Sequence, residues 1–198
     1  MGEIGEEGPT RMWLTQAQEG DQQGFSELYE HIAPSLHTWA FLRIRPEQSA
    51  HLDPADLVQE VWLRAWRQMS TFEGDGTYFR FWIFRIAKNV LLEAVRRGQK
   101  SKGAGGPTTR LNQANAQIDH ATAISQKVAR NESLGLFRDR VGELPEDDRK
   151  LVLHCGLEGL PHAQVAERLG LSSEAVTKRW QRLRTRLAQS DLPQYLLA

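Results

Sequence analysis

DPADLVQEVWLRAWRQMSTFEGDGTYFRFWIFRIAKNVLLEAVRR, residues 53–97, reads as two amphipathic helices joined by a short loop with glycines between aromatics. Asp53 is a good helix cap and Pro54 suits the first helical position, so the first helix is expected from about Pro54 to Met69. Leu57, Val58, Val61, Trp62, Ala65, Trp66 and Met69 recur at three- and four-residue steps and form one apolar face. Asp56, Gln59, Glu60, Arg64 and Arg67 fall opposite. The second helix, expected from about Phe79 to Arg97, buries Trp82, Ile83, Ile86, Val90, Leu91 and Val95. Its exposed side is cationic: Arg80, Arg85, Lys88, Arg96 and Arg97 oppose only Glu93. An acidic-amide face suits a basic protein partner, whereas cations beside loop aromatics suit a phosphate backbone and unstacked bases. Trp62, Trp66 and Trp82 lie on the apolar stripes and read as core. Phe72, Tyr78 and Phe79, which flank Glu73-Gly74-Asp75-Gly76-Thr77, fit either a core role or base stacking.

Net charge is zero over 198 residues, so the overall balance names no partner. Its distribution is more informative. Residues 1–31 hold seven acids against Arg11, and the cations gather later, which implies separate surfaces for separate partners. Cys155 is the single cysteine, so an internal disulfide is excluded and no oxidising compartment is indicated. No apolar run approaches the ~20 residues that span a bilayer, so no membrane insertion is expected and the chain is assigned to the cytoplasm.

Residues 1–10 carry almost nothing to bury and read as a disordered acidic tail. Helical spacing then runs from Arg11 to Phe41, broken at Gly20-Asp21, where Asp21 caps a second helix; Pro34 implies a kink or boundary. Residues 45–52 are a polar connection. Residues 98–130, with GQKSKGAGGPTTRLNQANAQ at their start, have the composition of a flexible linker with weak helix toward Ile118–Val128. The chain therefore reads as all-α, with two helical domains at 11–97 and 131–190 and short tails at 1–10 and 191–198.

In the second domain, Leu134, Phe137, Val141 and Leu144 mark a helix ending before Pro145, and Glu146, Asp147 and Asp148 crowd the first turn of the next. LPHAQVAERLGLSSEAVTKRWQRLRTRLAQ follows. Ala166 inside one helix, Gly170 at the turn and Val176 inside the next let two helices cross closely, with Val165, Leu169, Leu171 and Trp180 between them. This is the helix-turn-helix pattern. Ser172 or Ser173 caps the second helix, which carries Lys178, Arg179, Arg182, Arg184 and Arg186 against Glu174, as a major-groove reader requires.

DLVQEVWLRAWR followed by FRFWIFRIAKNVLLEAVRR, then a helix-turn-helix introduced by LPEDDR, resembles the extracytoplasmic-function (ECF) class of bacterial RNA polymerase sigma factors over nearly all of residues 20–190. The resemblance implies that 11–97 is a region 2-like domain and 131–190 a region 4-like one. It implies that Asp56, Gln59, Glu60 and Arg64 dock on the clamp helices of the largest subunit of the core polymerase, with the flap as a further contact. Phe72, Tyr78, Phe79, Arg80, Lys88, Asn89, Arg96 and Arg97 would bind the −10 element, melted and single-stranded, with an extruded base in a loop pocket. Arg149, Ser172, Ser173, Glu174, Thr177, Lys178, Gln181 and Arg182 would bind the double-stranded −35 element, Arg149 and Ser172 at its phosphates. The resemblance also admits an anti-sigma factor as partner. No cofactor, metal or catalytic residue is implied. Departures from the family pattern are Gln164 where an acid is frequent, Pro161 in place of a polar cap, and a slightly longer loop between Phe72 and Trp82.

Two rivals stand beside this reading. A stand-alone helix-turn-helix regulator would bind an operator without polymerase, but leaves the acidic-amide face of residues 56–67 without a task. An enzyme would rest on His154-Cys155, whose side chains point about 100° apart on a helix and so form no nucleophile–base pair. Cys155 reads as a small core residue.

Overall fold

The computed structural model describes residues 7–44, 52–101 and 132–189. The chain divides into two compact units, Met1–Ala129 and Arg130–Ala198, and the described residues form helices and turns without a strand.

In the first unit α1 spans Glu7–Gln18 and α2 Gln22–Arg43. Residues 7–10 therefore belong to α1 and not to a disordered tail, and Thr10 is buried because it lies under the start of the helix at Gly76. Asp21 caps α2, its carboxylate accepting from the amides of Gln23 and Gly24. Pro34 does not end α2. The helix runs through it, and every residue from Ile32 to Ala40 is buried. The reading of 45–52 falls outside the described residues for all but Leu52.

Helix α3 (Pro54–Gln68) starts where its sequence says it should: Asp53 accepts from the Ala55 amide at 2.6 Å and Pro54 follows the cap. Leu57, Val58, Val61, Trp62 and Ala65 face inward, and a 3₁₀ turn at Met69–Thr71 closes the helix. Helix α4 runs Gly76–Ser101, beginning before Phe79 and outlasting Arg97, so residues 98–101 are helix and not linker. The rest of the linker reading lies outside the described residues. Aromatic rings join the helices into one core: Trp62 meets Tyr29 at 4.7 Å, Phe25 at 5.5 Å and Phe79 at 6.3 Å between centroids. Such pairs contribute about 0.5–1.5 kcal/mol each beyond the area they bury.

The second unit holds α5 (Glu132–Gly142), α6 (Glu146–Leu151), a widened π turn at Val152–Leu157, α7 (His162–Leu169) and α8 (Ser173–Ala188). The π turn shows in the bond from the Glu158 amide to the Leu153 carbonyl at 2.9 Å. It brings the Glu158 carboxylate, wholly buried, to 3.1 Å from His154 Nδ1 and 3.8 Å from Arg168. Gly170 takes φ 66° and ψ 33° between α7 and α8, a left-handed turn that costs a glycine no Cβ strain. Ala166, Val176 and Trp180 close the crossing from the inside.

Candidate functional site

Two surfaces carry the candidate residues, one on each unit. On the first, the turn between α3 and α4 builds a pocket. Asp75 caps α4: its carboxylate accepts from the Tyr78 amide at 3.0 Å and its carbonyl from the Phe79 amide at 2.8 Å. The loop is thus only residues 72–75, and Tyr78 and Phe79 sit in the first turn of α4. Gly74 presses against its own flanks; a Cβ there would lie 2.9 Å from both the Phe72 ring and Tyr78. The result is a pocket of about 360 Å³ lined by Thr71, Phe72, Glu73, Tyr78, Phe81, Trp82 and Arg85. It is aromatic on most sides, with one cation and one carboxylate at its edge, and it accommodates a planar ring.

Helical phase sorts the remaining residues of α4. At about 100° per residue, Tyr78, Phe81, Arg85, Asn89, Leu92 and Arg96 fall in one stripe that leads away from the pocket. Tyr78, Arg85, Asn89, Leu92, Arg96 and Arg97 are exposed. Lys88 is half-buried at the stripe's margin.

Two expectations for this surface are corrected. Phe79 is fully buried among Phe72, Trp62 and Trp82 and cannot touch DNA. Arg80 points inward, its guanidinium 3.3 Å from the Ser35 hydroxyl and over the Phe84 ring. Phe81, Trp82 and Arg85 were missing from the candidates. Arg85 and Phe81 share the helical phase of Tyr78, whereas Trp82 lies at the edge of the apolar stripe and is exposed to the pocket by the loop beside it.

The outer face of α3 presents Asp56 exposed and Gln59 and Glu60 half-buried. Arg64 is not a free cation on that face. Its Nε donates to Glu60 at 2.7 Å, and its two terminal nitrogens reach both carboxylate oxygens of Glu93 on α4 at 3.0 and 2.8 Å. The hydrogen bond to Glu93, ahead of that to Glu60, drives the Arg64 pKa further up, and the same bond holds the Glu93 carboxyl below its ordinary value. Arg64 clasps α3 to α4.

On the second unit, Ser172 caps α8 by accepting from the Ala175 amide at 3.1 Å. Val176, Trp180, Leu183 and Leu187 face the core, and Glu174, Lys178, Gln181 and Arg182 stand exposed on the far side. Lys178 reaches Glu174 at 2.6 Å. Ser173 is exposed at the helix start, and Arg149 is half-buried with a bond to the Gly142 carbonyl. Thr177 is corrected: it turns toward α7, where its hydroxyl donates to the Ser173 carbonyl and accepts from His162 Nδ1 at 2.8 Å. Arg179 and Arg186 on the opposite flank are held by Asp148 at 2.9 and 3.0 Å, with Asp147 beside Arg179. The acids that open α6 therefore brace α8.

A model of the family described as ECF sigma factor matches residues 9–191, which spans both surfaces. The chain belongs to the ECF sigma factor family. The RNA polymerase sigma factor CnrH of Cupriavidus metallidurans is 28% identical over 180 residues, covering 90% of this chain and 92% of that protein. The ECF RNA polymerase sigma-E factor of Escherichia coli is 26% identical over 163 residues, covering 77% and 78%. A solved structure of CnrH in complex with the cytosolic domain of CnrY aligns with TM-score 0.41 at 23% identity, over 92% of this chain and 99% of that one. As an ECF sigma factor the protein binds RNA polymerase and promoter DNA and directs promoter-specific transcription.

Among the described residues no helix is long and apolar enough to cross a membrane, and no three His, Cys, Asp or Glu side chains gather to hold a metal ion. Cys155 is buried and desolvation pushes its thiol up to about 12, so it stays protonated near neutral pH.

Proposed function

We propose that the two units divide promoter recognition, the first opening and holding the −10 element and the second gripping the −35 element. The observation that carries this is the aromatic pocket at the start of α4 and the Arg85–Asn89–Arg96 stripe that leads from it. A base rotated out of the duplex would stack on Trp82 and Tyr78, while its strand runs along the stripe toward Arg96 and Arg97. Phe72 forms the wall, and Arg85 takes the part expected of Arg80. Lys88 borders the path. On the second unit Glu174, Lys178, Gln181 and Arg182 face the −35 major groove, with Arg149, Ser172 and Ser173 near the phosphates. Asp56, Gln59 and Glu60 offer the acidic-amide surface for the clamp helices of the polymerase. The protein acts by binding alone, in the cytoplasm, and uses no catalytic group of its own.

Run-off transcription with purified core polymerase over a pool of genomic promoter fragments tests the reading. Transcripts starting a fixed distance downstream of paired −10 and −35 motifs are expected only with the protein present. Gel shift without polymerase supplies the refutation: tight, specific operator binding by the free chain, with no transcript from the pool, would mark a stand-alone regulator.

A further inference from the structure

Helix α1 has no assigned contact with polymerase or DNA, yet it holds the pocket loop at both ends. Gln18, its last residue, donates from Nε2 to the Phe72 carbonyl at 2.7 Å, across 54 residues of sequence. At the other end of the loop Thr10 packs on Gly76, so close that a Cβ there would sit 3.1 Å from Thr10 Cγ2. The Phe72 amide bonds to the Met69 carbonyl and so holds the peptide before Phe72, while Gln18 holds the one after it, which joins Phe72 to Glu73. Both of those side chains line the pocket. Rotation of that peptide would swing the wall away from Trp82, which the Phe72 ring meets at 4.9 Å.

We infer that α1 is a clamp on the base pocket and that Gln18 is a positioning residue for capture of the extruded base; this rests on the pocket's assignment to an unstacked base. A part-buried carbonyl that loses its donor gives up the constraint and gains only water in exchange. The loop then samples conformations in which the pocket is not formed, and capture weakens by the fraction of time it is absent.

The test uses the full chain with core polymerase on a promoter recovered from the run-off pool, carrying 2-aminopurine in place of single non-template bases of the −10 element. Gln18→Leu, which keeps much of the apolar stem but removes the donor, is expected to lower the fluorescence rise on opening by about three- to tenfold, with core affinity unchanged. Gln18→Lys restores a donor within reach and is expected to recover opening. Thr15→Lys in the Gln18→Leu background adds the same charge to exposed α1 surface away from the carbonyl, and is expected to recover nothing. Thermal melting of each variant separates a lost fold from a lost pocket.

Wild-type opening by Gln18→Leu, alongside failure of Trp82→Ala, would overturn the clamp and leave the pocket reading intact. Equal defects in Gln18→Leu and Gln18→Lys, or rescue by Thr15→Lys, would overturn it too. Wild-type opening by both Trp82→Ala and Tyr78→Ala would remove the base-capture reading itself and the clamp with it.

Discussion

Replacing Arg64 with alanine distinguishes a helix clasp from a polymerase contact. Arg64 engages Glu93 through both guanidinium nitrogens and Glu60 through Nε, a fork geometry that outperforms a single charge contact. Exposure sets the magnitude. The Glu93 side chain is 46% exposed and Arg64 26%, so water screens the pair and its coupling is discounted to about 1 kcal/mol. Glu60, 20% exposed, also loses its partner, which brings the expected loss for Arg64→Ala to ~1–2 kcal/mol. For a unit of this size that lowers the melting temperature by roughly 4–8 °C per kcal/mol. Tryptophan fluorescence reports on the right unit, because Trp13, Trp39, Trp62, Trp66 and Trp82 lie in it and only Trp180 lies in the other.

A double-mutant cycle of Arg64→Ala with Glu93→Ala isolates the pair, and acid adds a second check. Glu93 titrates below its ordinary 4.5 in the folded chain. The pair's contribution is therefore whole above about pH 4.5 and fades as pH falls through the folded value. Wild type and Glu93→Gln should converge in melting temperature there. A coupling energy near zero, combined with weakened core binding by Arg64→Ala, would refute the clasp and restore Arg64 to the polymerase interface.

The neighbouring aromatics of α4 should part company: Tyr78→Ala is expected to leave melting within ~0.5 kcal/mol and weaken single-strand capture by ~1–3 kcal/mol. Phe79→Ala should cost ~3–5 kcal/mol of stability, read by urea unfolding, and impair every activity together. Asp148→Ala should destabilise the second unit and release Arg179 and Arg186 toward phosphate, so that the salt dependence of −35 duplex binding steepens, whereas Lys178→Ala or Arg182→Ala should flatten it by about one phosphate-equivalent. Cys155, with its thiol pushed up to about 12, should resist iodoacetamide in the native chain near ~pH 8 and react once the chain is unfolded in denaturant.

What could be read from sequence was what neighbours along the chain decide. Asp53-Pro54, Asp21, Gly170 and Ser172 each set a helix end through a bond to an amide two or three residues on or through a single backbone conformation, and all four stand as expected. The start of α4 was placed too late because Gly76-Thr77 looks like loop until Asp75 is seen to cap it. Phe79, a flank of that loop open to either core or base stacking, is the core member of the pair with Tyr78. Trp82 looked like core because it sits at the edge of an apolar stripe; whether an edge residue is covered depends on the loop beside it. Arg80 and Thr177 count as exposed cations and hydroxyls only until Ser35 and His162 arrive from other helices. Charges separated by 29 residues, as in Arg64–Glu93, or by 31, as in Arg179–Asp148, leave no periodic trace.

The rings that run from Trp66 through Phe25, Trp62 and Phe79 to Phe72 and Trp82 touch in series at 4.6 to 6.3 Å. A relay of that kind has no soft joint, since side chains at interior density cannot yield independently. Under the division of labour proposed above, the outer face of α3 and the cleft at the start of α4 are two ends of one packed unit. On that reading a tilt of α3 would be felt at the mouth of the cleft through packed rings, which would couple recruitment to strand capture within one small bundle.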